Sequence, residues 1–225
     1  MAIRIILQTV IWLGAMGAVL FLAAGDWRWA QGWVFLAVNA IGSLMVSFWL
    51  ARRDPALLEA RMTSPLRGDQ RPADRRLVML IAAGFVAWIV VMGLTGHRFA
   101  SGSNALWGQA LGGITLAACF VMVALVFHYN SFAVPQVRVQ AEREQTVISD
   151  GPYRFVRHPM YAGALMYFLG APLLLGSLWG LAGGVLLTIA MGVRAVGEER
   201  LLIQDLPGYE GYLSQVRYRL VPGLW

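Results

Sequence analysis

Four uncharged apolar runs, Ile5 to Ala24, Gly32 to Leu50, Leu77 to Leu94 and Ala105 to Phe127, constrain this chain more than any other feature. Each is close to the roughly 20 residues that a helix needs to cross a bilayer. In lipid the backbone must satisfy its own hydrogen bonds, so such runs fold as helices. Two shorter runs, Tyr161 to Leu175 and Leu181 to Val193, are joined by Gly176-Ser-Leu-Trp-Gly180 and predict a helical hairpin, with a single broken helix as the alternative. The expected fold is an all-α polytopic membrane protein with five or six transmembrane helices, the last two forming a hairpin, and a cytoplasmic C-terminal tail. The first run follows Arg4 in the manner of a signal peptide, but it is long for an apolar signal core and reads as a retained helix.

Composition agrees. Apolar residues make up 58% of the 225 and charged ones 13%, against about 45–50% and about 25% in soluble domains. Disorder, collagen and coiled coil are excluded on these grounds. All 18 basic residues are arginine, so lysine Schiff-base chemistry is impossible. A net charge of +6 in such a chain reads first as a topology signal, and nucleic acid is not an expected partner. The single cysteine, Cys119, lies inside an apolar run, permits no intramolecular disulfide and reads as packing.

The arginines are distributed unevenly. Arg4, seven from Ala51 to Arg76, four between His128 and His158, and four from Arg194 onward fall on one side of alternating crossings; only Arg28 and Arg98 fall on the other. By the positive-inside rule, both termini and the long polar segments face the cytoplasm. The opposite loops, Gly25 to Gln31 and Thr95 to Asn104, are too short and plain to build a site. The Ala51 to Arg76 loop, with Pro55, Pro65 and Pro72, reads first as a topology anchor and alternatively as an amphipathic segment at anionic lipid head groups.

Function therefore belongs to the polar side, above all to the stretch from Val139 onward. Within Gly151-Pro-Tyr-Arg-Phe-Val-Arg-His-Pro-Met-Tyr-Ala-Gly163, Pro159 suits a first helical position, with His158 as its cap-like neighbour. The amides of Met160, Tyr161 and Ala162 would then sit at a positive helix end suited to an anion. In Arg194-Ala-Val-Gly-Glu-Glu199 the spacing places Arg194 and Glu198 on one helix face. Beside an apolar run, such charges mark a cavity or partner, or else an ordinary interfacial ion pair. Tyr209, Tyr212 and Tyr218, with Arg217 and Arg219, read as an interfacial aromatic belt rather than a cofactor box. His97, His128 and His158 share no ligand spacing, so no metal site is expected. Asn39 is a mid-helix residue suited to an interhelical hydrogen bond, and Gly112, Gly113, Gly183 and Gly184 suit close helix packing. The soluble phosphate-binding and nucleophile-elbow motifs are absent from the sequence.

GPYRFVRHPMYAG at 151–163, the hairpin that follows, GEERLL at 197–202 and a tail with Tyr209, Tyr212 and Pro222 resemble the isoprenylcysteine carboxyl methyltransferase and phospholipid methyltransferase family of integral-membrane enzymes. The resemblance covers roughly the last 95 residues, and ARRDPALLEARM at 51–62 also looks like bacterial members. It implies a catalytic part over 128–225 behind N-terminal membrane helices over 1–127, in a bacterial inner membrane. It further implies methyl transfer from S-adenosyl-L-methionine to a lipophilic or prenylated acceptor entering from the bilayer. By motif position, Gln140, Gln145, Thr146, Val147, Ile148, Tyr153, His158, Pro159, Met160, Tyr161 and Glu198 would contact the cofactor. Arg194 would orient an anionic acceptor, such as an isoprenylcysteine-like carboxylate. The absence of the eukaryotic enzymes' extra helices weighs against a prenylated protein. A phospholipid amine N-methyltransferase, an NADPH-dependent sterol-type reductase and a non-catalytic transporter or assembly factor are the alternatives. For the reductase, Arg154, Arg157, Arg217 and Arg219 are the available phosphate partners.

Overall fold

The structure, a computed structural model, describes residues 1–62, 72–99 and 106–225. The described residues form eight α-helices: α1 (Ala2–Ala24), α2 (Ala30–Arg53), α3 (Pro55–Met62), α4 (Pro72–Gly93), α5 (Leu106–Tyr129), α6 (Pro159–Leu175), α7 (Leu178–Asp205) and α8 (Tyr209–Gln215). A π-helical turn, Leu94–Arg98, continues α4, and single 3₁₀ turns mark Ala141–Arg143 and Gly151–Arg154 in the connector between α5 and α6. The all-α membrane architecture expected from the apolar runs is the one observed: α1, α2, α4 with its π turn, α5 and α7 are long and apolar enough to cross a bilayer. The 17-residue α6 is shorter.

Local chemistry sets the boundaries. α6 starts at Pro159, as the missing amide and fixed φ of proline dictate, and stops at Gly176, whose φ of 73° is the left-handed geometry that glycine adopts without strain. The Ser177 side chain then accepts the Gly180 amide at 2.8 Å and caps α7. Trp88 on α4 donates its indole N–H to the Gly180 carbonyl at 2.6 Å, fixing the turn against the bundle.

The hairpin is therefore two helices, and the broken-helix alternative is excluded. One expectation about it needs correction: the turn is Gly176-Ser177 alone. As the shared face of Arg194 and Glu198 requires, α7 continues past its apolar run, to Asp205. Hydropathy marks Arg194 as an end; the helix persists because Arg194, Glu198 and Glu199 all find partners beyond the apolar run.

Apolar helices gain little by contact alone when lipid is the competing solvent, so close backbone approach matters. At Gly170 an added methyl would lie 2.7 Å from the Leu116 amide nitrogen, and at Gly112 2.7 Å from the Gly170 carbonyl oxygen, which presses α5 and α6 together. Gly183 fits against Trp88 and Gly184 against the Phe168 carbonyl. Gly113 differs from its neighbours, since a side chain there would meet only Leu174 at 3.9 Å. The main core gathers Leu20, Phe35, Trp88, Ile89, Met92, Leu116 and Phe168 from α1, α2, α4, α5 and α6. Asn39 makes its expected interhelical bond, accepting from the Tyr167 hydroxyl at 2.9 Å while donating to the Phe35 carbonyl at 2.8 Å.

The segment read as a topology anchor contains packed structure. Asp54 accepts the Leu57 amide at 2.9 Å and starts α3, whose Leu57 and Leu58 are buried against Leu50, Val126 and Phe127. Pro65 and most of the remaining loop lie outside the described residues.

Candidate functional site

A cavity of about 740 Å³ runs from the connector and tail into the bundle. Its polar end is walled by Gln145, Thr146, Val147, Ile148, Tyr153, His158, Pro159, Met160, Tyr161, Arg194 and Glu198, so all but one of the sequence-predicted site residues meet there. Gln140 is the exception. It is buried beneath the connector, where its amide N–H donates to the Gln145 side chain at 2.8 Å. Its own side chain donates to the Phe132 carbonyl at 2.8 Å and accepts from Arg143 at 2.9 Å. Its place is to shape the segment that presents Gln145.

The wall is rigid because its polar groups are interlocked. Tyr161 donates its hydroxyl proton to Glu198 at 2.8 Å and accepts from Arg194 at 3.3 Å. The His158 ring stacks on Tyr161, with centroids 5.4 Å apart and planes 10° from parallel. Arg194 reaches across to the first turn of α4, donating to the two oxygens of Asp74 at 3.0 and 3.4 Å, and to the Pro135 carbonyl at 2.8 Å. Tyr153 accepts from Asn130 at 2.7 Å, and burial holds its phenol above the ordinary tyrosine range, so it stays neutral.

The helix-end expectation is only partly met. The amides of Tyr161 and Ala162 both donate to the His158 carbonyl, each at 3.0 Å, so they are not available to an anion. Without a side-chain cap at His158, the first turn tightens onto that carbonyl.

Glu199, which the sequence reading passed over for Glu198, anchors the tail. Its carboxylate accepts from Arg219 at 2.9 Å and from Arg157 at 3.4 Å, and lies 3.2 Å from His158 Nε2. The backbone amides of Arg157 and His158 donate to the carbonyls of Tyr218 and Arg219, each at 2.9 Å, so the tail lies along the motif. Tyr209 and Tyr212 are consequently not an interfacial belt; both are buried and line the cavity. Tyr212 donates to the Tyr153 carbonyl at 2.8 Å. Their tyrosine spacing reads equally as a belt in sequence; the buried carboxylate beneath the tail is what turns them inward.

Past the polar wall the cavity becomes apolar, bounded by Trp12 on α1, Phe85 on α4, Phe120 on α5 and Tyr167 and Phe168 on α6, with Asn39 as an isolated polar group. Arg61 of α3 also faces the cavity, its guanidinium 4.6 Å from the Phe127 ring centroid and bonded to the Ala133 carbonyl. Burial lowers its pKa to about 10, so it remains charged at neutral pH. The signal for Arg61 was present: Leu57, Leu58 and Arg61 share one helical face. Asp74 had no such signal, because its partner lies in another helix.

No curated protein matches the chain. A family model does, over residues 107–206, which run from α5 through the connector and the hairpin to the end of α7. That span carries the polar wall, the Arg194 and Glu198 face and the His158 motif. The model is that of the phospholipid methyltransferase family, to which residues 107–206 of this chain are similar.

Proposed function

We propose that the protein transfers a methyl group from S-adenosyl-L-methionine to a lipophilic acceptor whose tail enters from the bilayer. The observation that carries this reading is the continuity of one cavity, polar where the family motif lines it and apolar where helices α1, α4, α5 and α6 line it. Its volume of about 740 Å³ lies within the about 300–1,000 Å³ typical of ligand pockets.

The residues present fit the donor. Glu198 offers a carboxylate fixed by the Tyr161 hydroxyl, suited to a hydroxyl or ammonium group, and the Gln145 to Ile148 segment offers backbone polar groups beside the apolar Val147 and Ile148. Bound there, the donor supplies an electrophilic methyl on a sulfonium. Tyr153, Tyr209 and Tyr212 line the polar end, and burial keeps their phenols neutral and so poor nucleophiles. The rate then rests on proximity and fixed dipoles, with no covalent enzyme intermediate. By the distribution of arginine, this end of the cavity faces the cytoplasm.

An isoprenylcysteine-type acceptor would bring a free carboxylate to Arg194, which Asp74 already matches. A phospholipid amine lacks that conflict, and the pairing favours it. The sterol-type reductase is disfavoured by the same kind of observation: Arg157 and Arg219, two of the four arginines available for a 2′-phosphate, are held by Glu199.

The test is label transfer. Purified protein given methyl-labelled S-adenosyl-L-methionine and total membrane lipid should move label into the organic phase, and Glu198→Ala should abolish most of it. Absence of label in every lipid class, with donor and lipid both present, would contradict the reading.

A further inference from the structure

Arg194 faces the cavity with its charge already matched. Its Nε donates to Asp74 Oδ1 at 3.0 Å and its Nη2 to Asp74 Oδ2 at 3.4 Å. Nη2 also donates to the Pro135 carbonyl at 2.8 Å, and Nη1 to the Tyr161 hydroxyl oxygen at 3.3 Å. These contacts leave at most one guanidinium N–H for anything in the cavity. Both partners are withdrawn from water, at 12% exposure for Arg194 and 15% for Asp74. Asp74 also lies in the first turn of α4, where a carboxylate is favoured by the helix N-terminus.

The geometry points to Asp74 as a specificity-determining residue that neutralises Arg194, covers its bidentate edge, and so excludes acceptors whose reacting end is a free carboxylate. A carboxylate binds a guanidinium best through two parallel N–H donors. Taking them here would displace Asp74 and leave it buried without its partner, which is strongly unfavourable. It would also set the acceptor's charge near Glu198, which shares Tyr161 with Arg194. An uncharged ester or carbonyl oxygen needs one N–H, and an amine head meets two carboxylates against one guanidinium.

This role rests on the methyl-transfer reading, so the experiment separates the two. Protein in nanodiscs of uncharged lipid is first titrated with S-adenosylhomocysteine. Three farnesyl thioether probes, ending in a carboxylate, its methyl ester and a primary amine, are then titrated into the complex. The carboxylate should bind at least ~10-fold more weakly than the ester, the cost of displacing one buried partner. Asp74→Asn should bring the two within ~3-fold by tightening the carboxylate, at unchanged S-adenosylhomocysteine affinity. Asp74→Glu should restore the discrimination, and Arg194→Gln added to Asp74→Asn should remove the gain. A wild-type protein that binds carboxylate and ester alike overturns the proposal, as does an Asp74→Asn ratio equal to wild type or a cavity that admits no probe. Should Asp74→Asn fail to fold, the wild-type ratio and Asp74→Glu decide. If S-adenosylhomocysteine itself does not bind, the methyl-transfer reading fails and this role with it; if it binds and the ratio is flat, only the role of Asp74 falls.

Discussion

Glu198 and Glu199 are neighbours on α7 with separate partners: Glu198 accepts the Tyr161 hydroxyl at 2.8 Å in the cavity wall, whereas Glu199 accepts Arg219 at 2.9 Å beneath the tail. The His158 ring lies between them, its Nδ1 3.9 Å from Glu198 and its Nε2 3.2 Å from Glu199. One carboxylate thus lines the cavity while the other fastens the tail beside it.

Glu199→Ala should therefore destabilise the protein by about 3 kcal/mol, because it strands two arginines and a histidine around a buried gap. Arg219→Ala, which removes a partner that is 30% exposed, should cost about 1 kcal/mol or less. Thermal unfolding in detergent orders the two. Equal melting temperatures would remove Glu199 from its anchoring place.

Asn39 and Tyr167 form a polar pair inside the apolar part of the cavity. Tyr167→Phe leaves the Asn39 oxygen without that donor and should cost about 1 kcal/mol, whereas Asn39→Leu with Tyr167→Phe should recover much of the loss. Melting temperatures of the single and double variants check the sign of the coupling.

Glycine substitutions distinguish close approach from open lipid-facing surface. Gly170→Ala places a methyl 2.7 Å from the Leu116 amide nitrogen and should destabilise by about 1–3 kcal/mol. Gly113→Ala meets ordinary contact at 3.9 Å and should be neutral, or up to about 1 kcal/mol stabilising. Unfolding of the two variants side by side tests whether the α5–α6 approach is as tight as described.

On the opposite face, Asp26 accepts the Arg28 amide at 2.8 Å and lies 3.0 Å from His97 Nε2. The Arg28 amide chiefly holds its carboxyl below the usual range; burial opposes it, and His97 adds a further lowering. A folded-state pKa below the unfolded one gives stability that is present at neutral pH and lost as pH falls through the folded value. Asp26→Asn should lower the melting temperature slightly at pH 7, and the difference should narrow as pH falls below the ordinary carboxylate value of about 3.9. A gap that does not narrow on acidification would contradict this.

Much of the architecture was legible because lipid imposes long uncharged runs, and Pro159, Gly176 and Ser177 punctuate the hairpin by simple backbone chemistry. The polar wall was legible as a motif, since His158, Tyr161, Arg194 and Glu198 lie at fixed offsets from helix starts and faces. What escaped is long-range pairing. Nothing local distinguishes Glu199 from Glu198, marks Asp74 for Arg194 or turns Tyr209 and Tyr212 inward; each depends on a partner brought from another segment. Gln140 shows the converse, a motif position whose side chain the fold uses on its own connector.

The central claim is that the cavity binds S-adenosyl-L-methionine through Glu198 at its polar end. Isothermal titration of S-adenosyl-L-methionine, its demethylated product and NADPH into the protein in nanodiscs addresses it directly, with Glu198→Ala in parallel. Saturable binding of the first two, weakened about tenfold or more by Glu198→Ala as expected for a lost charge-assisted hydrogen bond, is the predicted result. Binding of NADPH alone, or of none of the three, would contradict the account.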